Sequence, residues 1–412
     1  MTIEDKEQIV NPSKYLGNEL EYLKRVLEAK SWSATGGSWN QALEREMCRR
    51  FGARYGIALN SGTSTLHAAL EAAGVGAGDE VISPALSVIM NTTSTIHANA
   101  VPVYCDVQAD TFNMDPSDLE RKITPRTKAI VPVALYGLPC DMDPIMEIAK
   151  KHNIVVIEDN AQCFLSTYKG RLTGTIGDMS SYSFENTKHV SCGEGGMVLT
   201  NNEQYAETVR KVGGHGFKNL RAEEGRVRLN EDVFQNPHYK RHDMLGWNYR
   251  LPEFNAAVAL AQLERVDELI ELRVQSAQHF LDAMSDCDFL KPQAVPEGYT
   301  NSYYTLGVRY EGADAIGVSW EEFRKTYIEL GGDGVYGAWS VPYLEPLMVE
   351  RAYVKRLPSI YENVRYAKGL CPVAERIQPQ IMQFKTNYRD PELAKVKAQA
   401  LRETIRKFKN KR

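Results

Sequence analysis

The sequence predicts an α/β fold: a large, mostly parallel seven-stranded sheet covered by helices, followed by a smaller α+β C-terminal domain. Between about residues 45 and 200, short apolar runs, helical patterns and turn signals alternate repeatedly, as they do when parallel strands are joined by crossover helices. After about residue 272 the character changes to two strands near 302–310 among mixed helical and extended segments. The length of 412 residues suffices for a large unit with an appendage and a sizeable core. We expect an N-terminal segment (1–40) packing near the small domain, a large domain (41–270) and a small domain (271–412).

The strands of the large domain are read from apolar runs: YGIALN (55–60), EVISPA (80–85), VPVYCDV (101–107), KAIVPVALYG (128–137), IVVIEDN (154–160), SSYSF (180–184) and GMVLTNN (196–202). Helical spacing of Leu66, Ala69, Leu70 and Ala73 places a helix over 64–74. Residues 203–265 hold a helix, a long polar and basic loop (AEEGRVRLNEDVFQNPHYKRHD) and a second helix in LPEFNAAVALAQLERVDELIELR. That loop is too long for a plain connection and is either disordered or functional. The Lys/Arg-rich tail KVKAQALRETIRKFKNKR has apolar residues at helical spacing and reads as a solvated terminal helix.

Composition narrows the function classes. With 43% hydrophobic and 25% charged residues the chain is an ordinary globular one, and 49 Lys+Arg against 53 Asp+Glu give a net charge of −4. That balance offers no global attraction to nucleic acid or an anionic membrane. The seven cysteines lack CxxC spacing and a His cluster, so no metal site and no disulfide framework is expected, and a cytoplasmic setting is. The polar, acidic stretch MTIEDKEQIVNPSKYLGNEL does not read as a signal peptide, and no apolar run of about 18 residues follows.

Ligands of open α/β sheets lie beyond the carboxyl ends of the strands, and three unusual groups collect there. Ser61-Gly62-Thr63 precedes a helix and offers free amides and hydroxyls to an anion, though Ser and Thr are also ordinary N-caps. Asp159 ends an apolar strand, where a buried carboxylate needs a protonated ring nitrogen, a metal or an arginine, unless it is an N-cap. Lys188, in ENTKHVSCGEGG, is either a Schiff-base lysine or a solvated loop lysine. Neither GxGxxG opening a helix nor GxxxxGK[ST] is present. An anion cradle, a carboxylate and a lysine on successive strand ends are together what pyridoxal 5′-phosphate requires.

The motifs ALNSGTSTLHAALEAAGVGAGDEVISPALS, ANAVPVYCDV, IVVIEDNAQCF, GDMSSYSFENTKHVSCGEGGMVLTNN, GGHGF and GWNYRLPEFNAAVALAQLERVDEL resemble the DegT/DnrJ/EryC1/StrS family of pyridoxal-phosphate-dependent sugar aminotransferases. That family has the fold type I, aspartate aminotransferase-like architecture. The resemblance covers most of residues 50–270 in order, and the last 140 residues match only in general organisation. It implies that Lys188 carries the cofactor and shuttles the proton, that Asp159 pairs with the pyridine nitrogen, and that Gln162 lies against the ring or its 3′-oxygen. It implies that Gly62, Thr63 and Ser183 hold the phosphate, and that Asn248 is donated to the partner's site in a homodimer with shared active sites. Arg250 becomes a candidate for a substrate carboxylate, with an ordinary salt bridge as the alternative; His189 and Tyr336 are further substrate-binding candidates. The family commonly places an aromatic residue on the ring after the proline corresponding to Pro84; here Leu86 or Val88 must replace it.

Sugar 3-dehydratases of this family have histidine where the aminotransferases have the cofactor lysine. Lys188 occupies that position, with His189 beside it, which favours transamination. The segments GGDGVYGAWSVPYLEP (331–346), PALSVIMNTT and SFENTKH resemble aminotransferases that convert 8-oxo-Kdo to 8-amino-3,8-dideoxy-manno-octulosonate with glutamate as donor. The alternatives are a nucleotide-linked 3- or 4-keto-hexose or a cyclitol as acceptor, a dehydratase, or a non-enzymatic regulatory protein. An acidic keto sugar would need extra cations, for which His238, Lys240, Arg241 and His242 are candidates, although such a run is also an ordinary solvated loop.

Overall fold

The architecture is that of a computed structural model describing residues 12–29, 33, 37–223, 225–226 and 229–409. The first eleven residues, which carry part of the signal-peptide reading, and the last three of the basic tail lie outside the described residues.

The strands in chain order are β1 (Tyr55–Leu59), β2 (Glu80–Pro84), β3 (Val101–Cys105), β4 (Thr127–Ile130), β5 (Val155–Asp159), β6 (Thr167–Tyr168), β7 (Arg171–Leu172), β8 (Met179–Ser183), β9 (Gly196–Thr200), β10 (Leu220–Arg221), β11 (Gly225–Arg226), β12 (Leu290–Pro292), β13 (Leu306–Tyr310), β14 (Tyr336–Gly337) and β15 (Ile381–Phe384). Seven form the main sheet in the order β1-β9-β8-β5-β4-β2-β3. Only β9 runs against its neighbours, β1 and β8. The nearly continuous burial of these strands is what a sheet covered on both faces requires.

All seven expected strands are present, and one is cut to less than half its expected length. The 128–137 run is regular strand only through Ile130; Pro132 has no N–H to give, a single bridge from Val133 to Asp159 follows, and Tyr136 turns to φ 63°. A short 3₁₀ turn over Leu135–Gly137 follows. The helix expected over 64–74 spans Gly62–Ala72.

The small sheet has the order β12-β13-β15-β14. Of the two strands expected near 302–310 only β13 forms, and its partners come from 290–292 and 381–384 instead. The basic tail forms the helix Pro391–Lys409, and it is not simply solvated: Leu393, Ala394, Leu401, Ile405 and Phe408 are buried in one core with Phe280, Phe323 and Phe384. The long loop is also built, as a β10–β11 hairpin and a helical turn Glu231–Gln235.

Residues 12–29 pack on the helix Glu253–Glu264, with Asn18 and Tyr22 both donating to Glu264. Among the described residues no helix is long and apolar enough to cross a membrane, no group of His, Cys, Asp or Glu could hold a metal ion, and all seven cysteines are free.

Candidate active site

The first component is the start of the helix Gly62–Ala72. Ser61 is its N-cap: the Ser61 hydroxyl accepts from the Ser64 amide at 3.0 Å, and Ser64 Oγ in return accepts from the Ser61 amide at 3.1 Å. The Ser61 hydroxyl is therefore committed to the cap, so the donors left for an anion are the Gly62 and Thr63 amides, which have no acceptor within a helix, and the Thr63 hydroxyl. Thr65 Oγ1 pins this turn to β8 through Ser181 Oγ at 2.6 Å. A side chain at position 62 would bring its Cβ to 2.9 Å from that of Ser183, and one at 196 would meet the Tyr182 and Ser61 carbonyl oxygens at 2.6 and 2.8 Å. Glycine at both positions keeps a cradle open between the helix start and the end of β8, where Ser183 stands.

At the end of β5, Asp159 is 2% exposed. Its Oδ1 accepts from the Ala161 amide at 3.0 Å and its Oδ2 from Asn91 Nδ2 at 3.1 Å. No cation of the described residues lies within ion-pairing distance. Burial consequently pushes the carboxyl pKa up, with the two hydrogen bonds and the nearby charge of Lys188 only partly opposing it. Beside it the Asn91 Oδ1 is buried with no partner. A buried carboxylate and an orphaned amide oxygen together form a receptor for a positive N–H group.

Lys188 follows β8 on a turn closed by its amide to the Glu185 carbonyl at 3.0 Å. Its Nζ lies 4.4 Å from the centroid of the Tyr304 ring. Gln162 is buried, and its Oε1 accepts from the Tyr136 amide at 3.0 Å, which leaves its Nε2 for a ligand oxygen. The cradle, the carboxylate receptor and the lysine thus fit a phosphorylated pyridine aldehyde.

Of the two ring-contact candidates, Leu86 is fully enclosed in the cluster of Ala85, Tyr104, Phe112 and Val133. Val88 is half-buried and remains.

Asn248 and Arg250 lie on the segment that borders the main sheet, through bridges to Gly214 and Leu59. The segment is clamped to the cradle helix by His67, whose Nδ1 is 3.0 Å from the Tyr249 hydroxyl and whose ring meets Trp247 edge-on at 4.8 Å. Asn248 is exposed, and Arg250 is half-buried and makes no ion pair among the described residues; burial lowers its pKa. A surface salt bridge is therefore not what holds Arg250.

The structure places the two further substrate-binding candidates as follows. His189 is buried, with Nε2 3.0 Å from the Ser302 carbonyl and its ring near those of Phe164 and Tyr304. Burial and the adjacent Arg273 hold it neutral, and it lines the small cavity beside Lys188. Tyr336 lies on the short edge strand β14, is 59% exposed and is absent from the pocket at Lys188. In the long loop, Arg241 donates to the Phe234 and Tyr239 carbonyls and His242 Nδ1 lies 2.8 Å from the His215 carbonyl, so neither is a ready cation for a sugar acid.

The structure adds groups that the sequence reading missed. Asn91 reaches Asp159 from a different strand-end helix, and Lys14, Arg273 and Arg389 line the pocket at Lys188 from three distant segments.

Comparison with known proteins is consistent with this geometry. Residues 15–328 match the DegT/DnrJ/EryC1/StrS aminotransferase family. Over 257 residues the chain is 41% identical to GDP-perosamine synthase of Caulobacter vibrioides, covering 62% of this chain and 64% of that protein. Over 261 residues it is 38% identical to GDP-perosamine synthase of Escherichia coli O157:H7, covering 63% and 67%. The match thus spans just under two thirds of the first relative's own length. Among solved structures the chain superposes on an aminotransferase from Psychrobacter cryohalolentis with a TM-score of 0.83 at 30% identity, over 97% of this chain and 99% of that one.

Proposed function

The chain belongs to the DegT/DnrJ/EryC1/StrS aminotransferase family, and from that premise we propose that it is a pyridoxal 5′-phosphate-dependent enzyme moving an amino group from glutamate to a keto sugar. The observation that carries this reading is the buried Asp159 carboxylate, which has hydrogen-bond donors but no cation and lies within electrostatic reach of Lys188.

When bound, the cofactor supplies an aldehyde that takes up the amino group and a ring that accepts the electrons released at Cα. Gly62, Thr63 and Ser183 would hold its phosphate. Asp159, oriented by Asn91 and Ala161, would keep the ring nitrogen protonated. Gln162 Nε2 would position a ring oxygen. Lys188 Nζ would carry the cofactor and would take up and return the proton moved during amino transfer. Asn248 serves the partner's phosphate in a homodimer, and Arg250 meets a substrate carboxylate.

A nucleotide-linked keto-hexose is the acceptor that the two GDP-perosamine synthase relatives support. An eight-carbon acidic keto sugar, giving 8-amino-3,8-dideoxy-manno-octulosonate, is a second reading favoured by the cationic pocket beside Lys188. The free cysteines accord with a cytoplasmic location.

The test is spectroscopic. Wild-type protein loaded with pyridoxal phosphate should show a visible absorption band that glutamate removes. Lys188→Ala should lack the band and lose turnover by roughly 10⁴-fold, and Asp159→Asn should lose about 10²–10³-fold. Absence of the band in loaded wild type, or near-normal turnover of Asp159→Asn, contradicts the reading.

A further inference from the structure

Beside Lys188 lies a cavity of about 20 Å³, lined by Lys14, Arg273 and Arg389 along with Tyr388 and the neutral His189. Its cations come from three segments far apart in sequence: the N-terminal stretch, the helix Val266–Met284 and the turn before the last helix. Arg273 is 6% exposed, yet among the described residues it meets no carboxylate; its donors go to the Tyr304 carbonyl at 2.7 Å, the Thr187 carbonyl at 2.9 Å and Thr386 Oγ1 at 3.4 Å. Lys14 is 8% exposed and its ammonium is held by the Asn186 carbonyl, again without an ion pair among the described residues.

A buried guanidinium with only carbonyl and hydroxyl partners keeps a full positive charge in a region of low dielectric, and that charge is stabilised when an anion arrives. The nearest acid, Glu185, does not fill that role, because its carboxylate is engaged by the Thr187 amide at 2.9 Å and the Thr187 hydroxyl at 2.6 Å. Three cations from separate segments converge on this one small opening beside Lys188, an arrangement that suits a compact anion such as a single carboxylate.

We propose that Lys14, Arg273 and Arg389 form a carboxylate-binding subsite beside Lys188, which holds one carboxylate of an acidic substrate during amino transfer. This rests on the function proposed above and specifies the chemistry of its substrates. The carboxylate comes either from the dicarboxylic amino donor or from an acidic keto sugar.

The subsite is sensitive to pH through Lys14, whose pKa is brought down to about 8 by burial and by Arg389 and Arg273, against the opposing pull of Glu185 and Cys192. Only the ammonium form binds an anion, so affinity falls as pH rises from 7 to 9.

The probe is glutarate, an unreactive dicarboxylate, titrated calorimetrically into the full-length, cofactor-loaded protein. Binding to wild type should weaken at least about tenfold in Lys14→Gln and in Arg389→Gln. Lys14→Arg should restore it and abolish its fall between pH 7 and 9. Stopped-flow half-reactions then separate the sources. Slower reaction with glutamate but not alanine in Lys14→Gln assigns the subsite to the donor; a selective loss with the acidic keto sugar over a neutral one assigns it to the acceptor. No glutarate binding to wild type, or unchanged binding in both Gln variants, overturns the subsite. A wild-type protein without the visible cofactor band instead overturns the function proposed above, so the two failures are distinguishable.

Discussion

Buried charges behind the main sheet and buried charges at its carboxyl ends are treated in opposite ways. Behind the sheet, Arg210 holds Glu44 through two nitrogens at 2.9 and 3.1 Å and donates to the Gly56 and Ala222 carbonyls. On the other face of β5 from Asp159, Glu158 also meets no cation among the described residues but is enclosed by the Gly174, Ile176 and Gly177 amides at 2.7, 2.8 and 2.6 Å. At the site, among the described residues, Asp159 accepts only two hydrogen bonds and meets no cation, and Arg273 meets no anion. Structural charges are closed by partners from the same chain, and an open one marks where something else binds.

The largest effect expected from this contrast is on stability behind the sheet. Arg210→Met strands the Glu44 carboxylate and should cost about 3–5 kcal/mol. Arg273→Met strands only carbonyl and hydroxyl oxygens and should cost about 1–3 kcal/mol. Urea unfolding of both variants measures the difference, and equal losses would break the comparison.

The neighbouring carboxylates sharpen it. Glu158→Ala leaves the buried Gly174 amide and the part-buried Ile176 and Gly177 amides without an acceptor, at about 1–3 kcal/mol for a buried one, and should lose about 3 kcal/mol. Both carboxyl pKa values are raised, chiefly by burial. An acid raised by folding favours the native state below its unfolded pKa and loses that contribution as pH rises through the folded one. Cofactor-free Asp159→Asn, relieved of a buried carboxyl group without a cation, should therefore be at least as stable as wild type at neutral pH while its loaded form is inactive. Thermal unfolding with and without cofactor reads both, and a marked loss of stability in the cofactor-free variant would make Asp159 a structural residue.

Much of this was legible in the sequence because it is local. Each strand is an apolar run, and Gly62, Asp159 and Lys188 directly follow strands, so a topological rule locates them without knowledge of tertiary contacts. The direction His189 takes was not legible for the same reason: adjacency to Lys188 along the chain says nothing about direction, and the turn after β8 turns its ring to the Ser302 carbonyl. Tyr336 was inferred from a motif in the region where the resemblance is weakest, and it falls on an exposed edge strand. The Arg273, Lys14 and Arg389 cluster had no local signal, since its members are 116 or more residues apart and each looks alone like a surface cation.

The smallest effect expected is a slope in pH. Lys14 binds its proton less tightly in the fold, with a pKa of about 8 in place of 10.5. Between those values the unfolded chain carries more protons than the native one, so native stability should climb as pH rises through that window. Lys14→Met should flatten the climb relative to wild type, because the penalty of a buried ammonium is gone at every pH, while Lys14→Arg keeps the charge and should remain uniformly less stable than Lys14→Met. Urea midpoints of the three proteins from pH 7.5 to 10 report this directly. If the wild-type and Lys14→Met curves run parallel, Lys14 is solvated in the native state and the open-charge description fails on the N-terminal side of the pocket.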